Sequence, residues 1–216
     1  MVRIGVIACD MIKLELEKVL QAYPEVAEIV WLESALHVYP ERMKQTIIER
    51  INGMKGEVDV IFLGYGYCQS LKGIEQEVDF PVILPQHDDC LAILLTPARY
   101  AEEKKKECGT WFMTPGWAEI GAELVIKELH LERARKYGKD PMAMAKRLFT
   151  HYRRGLYIDT GVGNDAYFQE KAAQFCRDFD LVLEKTCAES GVLAEELEKC
   201  REWGTNDHSL LASSSP

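Results

Sequence analysis

VDVIFLGYG, residues 58–66, is a short run of β-branched and aromatic apolar residues that ends in a glycine-bearing turn. Apolar residues at consecutive positions over so few residues mark a strand buried on both faces. VRIGVIA (2–8), EIVWLES (28–34) and PVILP (81–85) have the same form. The segments between them have helical spacing. Asp10 stands where it would cap a helix whose inward stripe is Ile12, Leu16, Val19 and Leu20. Pro40 opens a second helix, with Met43, Ile47 and Ile51 on one face and Gly53 as its stop. Strand alternating with helix predicts an α/β fold, a parallel sheet with helices on both faces.

A second series follows residue 100: the strand TWFMT (110–114), a helical region from Ala118 to Tyr152 broken near Pro141, the strand LYIDT (156–160), a helix after Asn164, the strand LVLE (181–184) and a helix over 189–203. The pattern reads as two Rossmann-like lobes, 1–100 and 101–216, with a cleft at the strand C-terminal ends, or as one continuous domain. HSLLASSSP at the end of the chain is polar and reads as frayed.

Composition narrows the function classes. A formal net charge of −9 over 216 residues argues against a nucleic-acid partner, which needs clustered Lys and Arg, and the longest basic run, Lys104 to Lys106, reads as a solvated helix face. No apolar stretch reaches the roughly 20 residues that span a bilayer, so no membrane partner is expected either. The first strand begins at Val2, which leaves no room for a signal peptide and predicts a cytoplasmic protein. In a reducing compartment the seven cysteines are core filler, metal ligands or reactive thiols rather than a disulfide framework.

The strand pattern sorts them. Ligands of parallel sheets bind outside the carboxyl ends of the strands. Cys9 ends the first strand, Cys68 follows the third in GYGYC, and Cys90 follows the fourth in QHDDC; His37 leaves the second strand in ESALH. His87 and Cys90, at i and i+3, share a face if they open a helix. Thiolates with an imidazole suit zinc or another borderline-soft metal, iron or an iron–sulfur cluster included. The candidate ligands are therefore Cys9, Cys68 and Cys90 with His37 or His87. Asp88 or Asp89 would orient the histidine or cap a helix. Cys176 and Cys200 fall on apolar helical stripes and read as core, Cys108 lies in a charged connector, and Cys187 follows the last strand. GYGYC lacks the third glycine of a dinucleotide fingerprint; its Gly66 and Tyr67 read as a sharp turn or a close approach to a ligand. TPGW (114–117), with Thr114, Gly116 and Trp117, and DTGVGND (159–165), able to offer backbone N–H groups to an anion, lie on the corresponding edge of the second lobe.

IACDMIKLEL, LGYGYC, ILPQHDDCLAILLTPARY and GTWFMTPGWAE resemble the landmarks of domain-of-unknown-function family 1638, found in methanogens and other anaerobes. The resemblance carries the family's recurrent positions onto Cys9, His37, Gly66, Cys68, His87, Asp88, Cys90, Gly116 and Trp117. Gln69 stands where relatives have a further glycine, and Gln86 and Asp89 depart from an Arg-x-His-Asp-Cys arrangement, which removes a positive charge. The resemblance implies a metabolic setting, corrinoid-dependent methyl transfer in anaerobes, rather than a reaction; a corrinoid is the candidate cofactor and a corrinoid protein or methyltransferase the candidate partner. Three readings follow for a protein that takes a small-molecule ligand: a metal-dependent enzyme, a binding or chaperone protein for a metal or metallocofactor using the same ligands, and a metal-free two-cysteine enzyme, resembling racemases, with Cys9 facing Cys187.

Overall fold

The computed structural model describes residues 1–67, 70–189 and 191–205. Its first sheet has four parallel strands, β1 (Ile4–Cys9), β2 (Val26–Leu32), β3 (Val60–Gly64) and β4 (Val82–Ile83), in the order β2-β1-β3-β4. The second has three, β5 (Thr110–Met113), β6 (Arg154–Asp159) and β7 (Val182–Cys187), in that order and also parallel. Helices α1 (Lys13–Leu20), α2 (Pro40–Met54), α3 (Ile74–Glu77), α4 (Cys90–Leu95) and α5 (Pro97–Lys106) precede the second sheet; α6 (Pro115–Ile120), α7 (Ala122–Glu128), α8 (Pro141–Leu148), α9 (Asp165–Phe179) and α10 (Gly191–Thr205) belong to its half of the sequence. The chain is thus α/β with two parallel sheets, as the strand pattern predicts.

Strand periodicity explains the layers. On one face of the first sheet, Ile7, Ile61 and Leu63 pack on Met43, Ile47 and Ile51 of α2; on the other, Val6, Ala8, Val60 and Phe62 pack on Leu16 and Leu20 of α1 and Leu193, Leu197 and Cys200 of α10. Side chains that alternate along a strand supply both cores, which is why these strands are apolar throughout. The last helix therefore returns to the first sheet, across the expected boundary at residue 100. In the second sheet, Met113 and Tyr157 face Phe168, Phe175, Cys176 and Phe179, while Ile158 meets Leu95 and Tyr100 of α4 and α5. Cys176 and Cys200 are core residues, and burial pushes their thiols up to about 11 and about 12.

Three local expectations differ. Asp10 caps no helix; its Oδ1 accepts from Ser34 N at 2.9 Å and ties the loop after β1 to the loop after β2. The helix α2 runs past Gly53 to Met54. The 118–152 region is broken at Gly121, His130 and Gly138, all at positive φ, before Asp140 caps α8. No helix among the described residues is long and apolar enough to cross a membrane.

A buried ion pair anchors the second sheet to α5. Arg154, at the start of β6, places Nη1 2.9 Å from Glu103 Oε2, donates Nη2 to Glu103 O at 2.8 Å and Nε to Thr110 Oγ1 at 2.9 Å. Burial alone would raise the Glu103 carboxyl, but hydrogen bonds from Lys106 and Arg154 outweigh it and hold it below the usual carboxylate range. Arg154→Met leaves Glu103 with Lys106 and Arg99 on Oε1 but strips the partner from its buried Oε2, so urea unfolding should show a loss of about 1–3 kcal/mol. Because the folded pKa is depressed, Glu103's contribution is present above its unfolded value of about 4.3 and lost as pH falls through the folded one. The stability gap between wild type and Glu103→Gln should accordingly close below about pH 4. A gap constant from pH 7 to 3 would contradict this.

Candidate functional site

The sheet order reverses between β1 and β3, and ligands of open parallel sheets bind beside such a switch point. A cavity of about 420 Å³ opens there, lined by Cys9, His37, Gly66, Asp89, Cys90 and Trp117 together with Met11, Glu33, Ser34, Leu36, Met43, Tyr65, Ser70 and Leu91. Four strand-end loops of the first sheet and the β5–α6 corner of the second build it.

Close backbone contacts fix these loops. A Cβ on Gly66 would lie 2.3 Å from the Asp89 Cα and carbonyl carbon, so only glycine lets the loop after β3 lie against the loop after β4. Tyr67 N donates to His87 O at 2.6 Å and completes the seam. Asp89 caps α4, accepting from Leu91 N and Ala92 N, and also accepts from Tyr100 OH at 2.6 Å. Cys90 is thereby the first residue of α4 and lines the cavity. From the second lobe, a Cβ on Gly116 would stand 2.8 Å from Met11 O, which also accepts from the buried Thr114 Oγ1 at 3.4 Å. Trp117 then packs against the cores of both lobes, and its Nε1 is buried with no hydrogen-bond partner among the described residues.

The electrostatics are one-sided. Among the described residues the lining includes Cys9, Glu33, His37, Tyr65, Asp89 and Cys90 but no Lys or Arg. Burial pushes the Cys9 thiol up to about 12, with Asp10 and Glu128 adding to the effect, so the side chain is a thiol at neutral pH unless a cation adjoins it. His37, on a 3-10 turn over Ser34–Val38, places Nε2 3.6 Å from Oε1 of Glu128 on α7. Glu128 is 6% exposed, and that oxygen has no hydrogen bond among the described residues. The carboxylate beside the ring, opposed by burial, raises the imidazole above its ordinary value. A carboxylate behind a histidine is the arrangement that orients histidine ligands of metals.

The structure separates the two candidate histidines. His87 does not line the cavity; its Nε2 lies 3.1 Å from Glu196 Oε1 on α10. His87–Asp89 form a bend, and α4 starts only at Cys90, so the i, i+3 spacing does not bring His87 onto the face of Cys90. Asp88 is exposed and pairs with Lys104 at 3.6 Å, and the carboxylate beside the ring of His87 is that of Glu196. Cys187 is exposed and outside the cavity, so it does not face Cys9 across it. The glycine loop after β6 turns inward: Gly161 N donates to Asp159 Oδ1 at 2.9 Å rather than to an outside anion. Cys68 lies outside the described residues; Gly66 and Ser70, the nearest lining residues on either side in sequence, both face the cavity. No group of three or more His, Cys, Asp and Glu side chains placed to hold a metal ion occurs among the described residues.

Sequence reading missed Asp10 as a loop tie, Glu33 and Tyr65 as lining and Glu128 as the partner of His37. The first had a visible signal, an acid directly after a strand end. Glu128 had none, since its role depends on how the two lobes dock.

A family model described as "Protein of unknown function (DUF1638)" matches residues 31–197. No curated protein and no solved structure matches the chain.

The packing of Gly66 yields a direct test. Gly66→Ala should cost about 1–3 kcal/mol in urea unfolding, because the new methyl meets backbone that cannot turn aside. Gly53→Ala, where a Cβ meets nothing within 4 Å inside a helix, should instead gain up to about 1 kcal/mol. Equal effects of the two changes would contradict the seam.

Proposed function

The chain belongs to domain-of-unknown-function family 1638, and we propose that this member is a metal-dependent protein acting on a small molecule, with Cys9, Cys90 and His37 as ligands and Cys68 completing the set. The observation that carries the reading is that Cys9, Cys90 and His37 all line one cavity whose described lining includes no Lys or Arg. Such a wall repels anions and favours a soft cation, and two sulfur donors with an imidazole suit zinc first and ferrous iron second.

Each residue has a part. Cys9 gives up its proton only beside a cation, so metal uptake releases protons and is favoured by rising pH. Glu128 stands 3.6 Å from the ring of His37, and Asp10 holds the loop that carries that ring against the Cys9 loop. Trp117 lines the same cavity and packs against the cores of both lobes. When bound, the metal supplies Lewis acidity that ionises a small thiol at neutral pH, and an ionised thiol is a ready methyl acceptor. A cavity of about 420 Å³ is at the small end of the about 300–1,000 Å³ usual for ligand sites. It suits a small thiol and excludes a whole corrinoid, so in this reading a corrinoid donor arrives on a partner protein.

Protein purified without oxygen should hold close to one metal per chain. Cys9→Ser and Cys90→Ser should each lower occupancy at least tenfold, with far-ultraviolet circular dichroism unchanged, and His37→Ala should weaken affinity about 10–100-fold. A wild-type chain that stays metal-free after reconstitution with zinc and with ferrous iron would overturn the proposal.

A further inference from the structure

A second cavity, of about 330 Å³, lies on the opposite face of the first sheet, and the metal reading does not use it. Thr160, Val162 and Ala188 line it and follow β6 and β7, so it opens at the carboxyl edge of the second sheet, where parallel sheets bind ligands. Helices α1, α4 and α10 form its other wall.

Its chemistry centres on one buried acid. Glu15, on α1, is 5% exposed; Oε1 accepts from Thr160 Oγ1 at 2.8 Å, while Oε2 is buried with no hydrogen-bond partner among the described residues. Burial, opposed by local hydrogen bonds, raises its carboxyl above the usual range. A buried carboxylate without a countercharge is costly, and most buried polar atoms in native structures have partners. The two cations of the wall are placed differently. Arg201 is committed to Glu25, with Nε and Nη2 each 2.9 Å from a carboxylate oxygen. Lys18 gives one of its three N–H donors to Gly161 O at 2.9 Å and keeps the others for a ligand at the rim.

We propose that this cavity binds a small aliphatic α-amino acid, with its ammonium on Glu15, its carboxylate on Lys18 and its side chain against Val19, Ile93, Val162 and Leu193. The ammonium supplies the countercharge that the buried carboxylate lacks. The volume holds a branched aliphatic side chain and leaves no room for a peptide of several residues.

Methyl-detected NMR titration of the full chain tests the site without any variant. Leucine, isoleucine or methionine should shift Val19, Ile93, Val162 and Leu193 and leave Leu36 and Met43 of the first cavity unmoved. Isoamylamine, which keeps the ammonium, should bind more weakly than leucine, and 4-methylpentanoate, which lacks it, should not bind. Glu15→Gln should weaken leucine at least tenfold, equivalent to about 1.4 kcal/mol. Lys18→Met should weaken leucine but not isoamylamine. Absence of shifts with all three amino acids, shifts at the first cavity instead, or 4-methylpentanoate binding as tightly as leucine would overturn the site. None of these results bears on metal content, which tests the other cavity.

Discussion

Gly116 has no side chain, and only for that reason can the β5–α6 corner of the second lobe rest on the carbonyl oxygen of Met11, where an added Cβ would stand 2.8 Å away. Thr114 donates to the same oxygen, and Trp117, one residue on, enters both cores. The first sheet supplies the thiols; this corner supplies the wall that turns their edge into a cavity. Glu128, behind His37, comes from the same lobe. The enclosure of the cavity is therefore a property of the docked pair of lobes, although Cys9, His37 and Cys90 all come from the first.

The α10 helix makes the docking hard to undo. It follows the last strand of the second sheet yet packs on Val60, Phe62 and Ile93 of the first half, so the chain crosses between lobes at both ends of the second sheet. Its Glu196 also takes His87 out of contention for the cavity. On the face that α10 covers, the lobes meet again around the second cavity, and there the acid is Glu15 rather than a thiol. Two edges of two sheets thus face two clefts of different chemistry, one rich in sulfur and without described Lys or Arg, the other aliphatic with a single deeply buried carboxylate.

Much of the fold was legible because it rests on local signals. Short runs of consecutive apolar residues, VIFLG within VDVIFLGYG above all, announce burial on both faces, and the sorting of Cys9 and Cys90 to a sheet edge and of Cys176 and Cys200 to cores follows from strand ends and helical stripes. What sequence left hidden depends on contacts between distant segments. Asp10 has the look of a helix cap, but Ser34 N, 24 residues away, takes its carboxylate. The spacing of His87 and Cys90 suggests one helical face, but Asp89 wins the cap and starts the helix after the histidine. Arg154 and Glu103 form a buried pair 51 residues apart in sequence, a contact no local pattern marks.

The central proposal is that Cys9, Cys90 and His37 of the first lobe, enclosed by the second, form one soft-metal site. X-ray absorption at the metal edge of the anaerobically loaded protein reads those donors directly. The account predicts at least two sulfur neighbours at about 2.3 Å and a nitrogen at about 2.0–2.1 Å, with one sulfur lost in Cys90→Ser. A first shell of oxygen and nitrogen alone, unchanged in that variant, would contradict it.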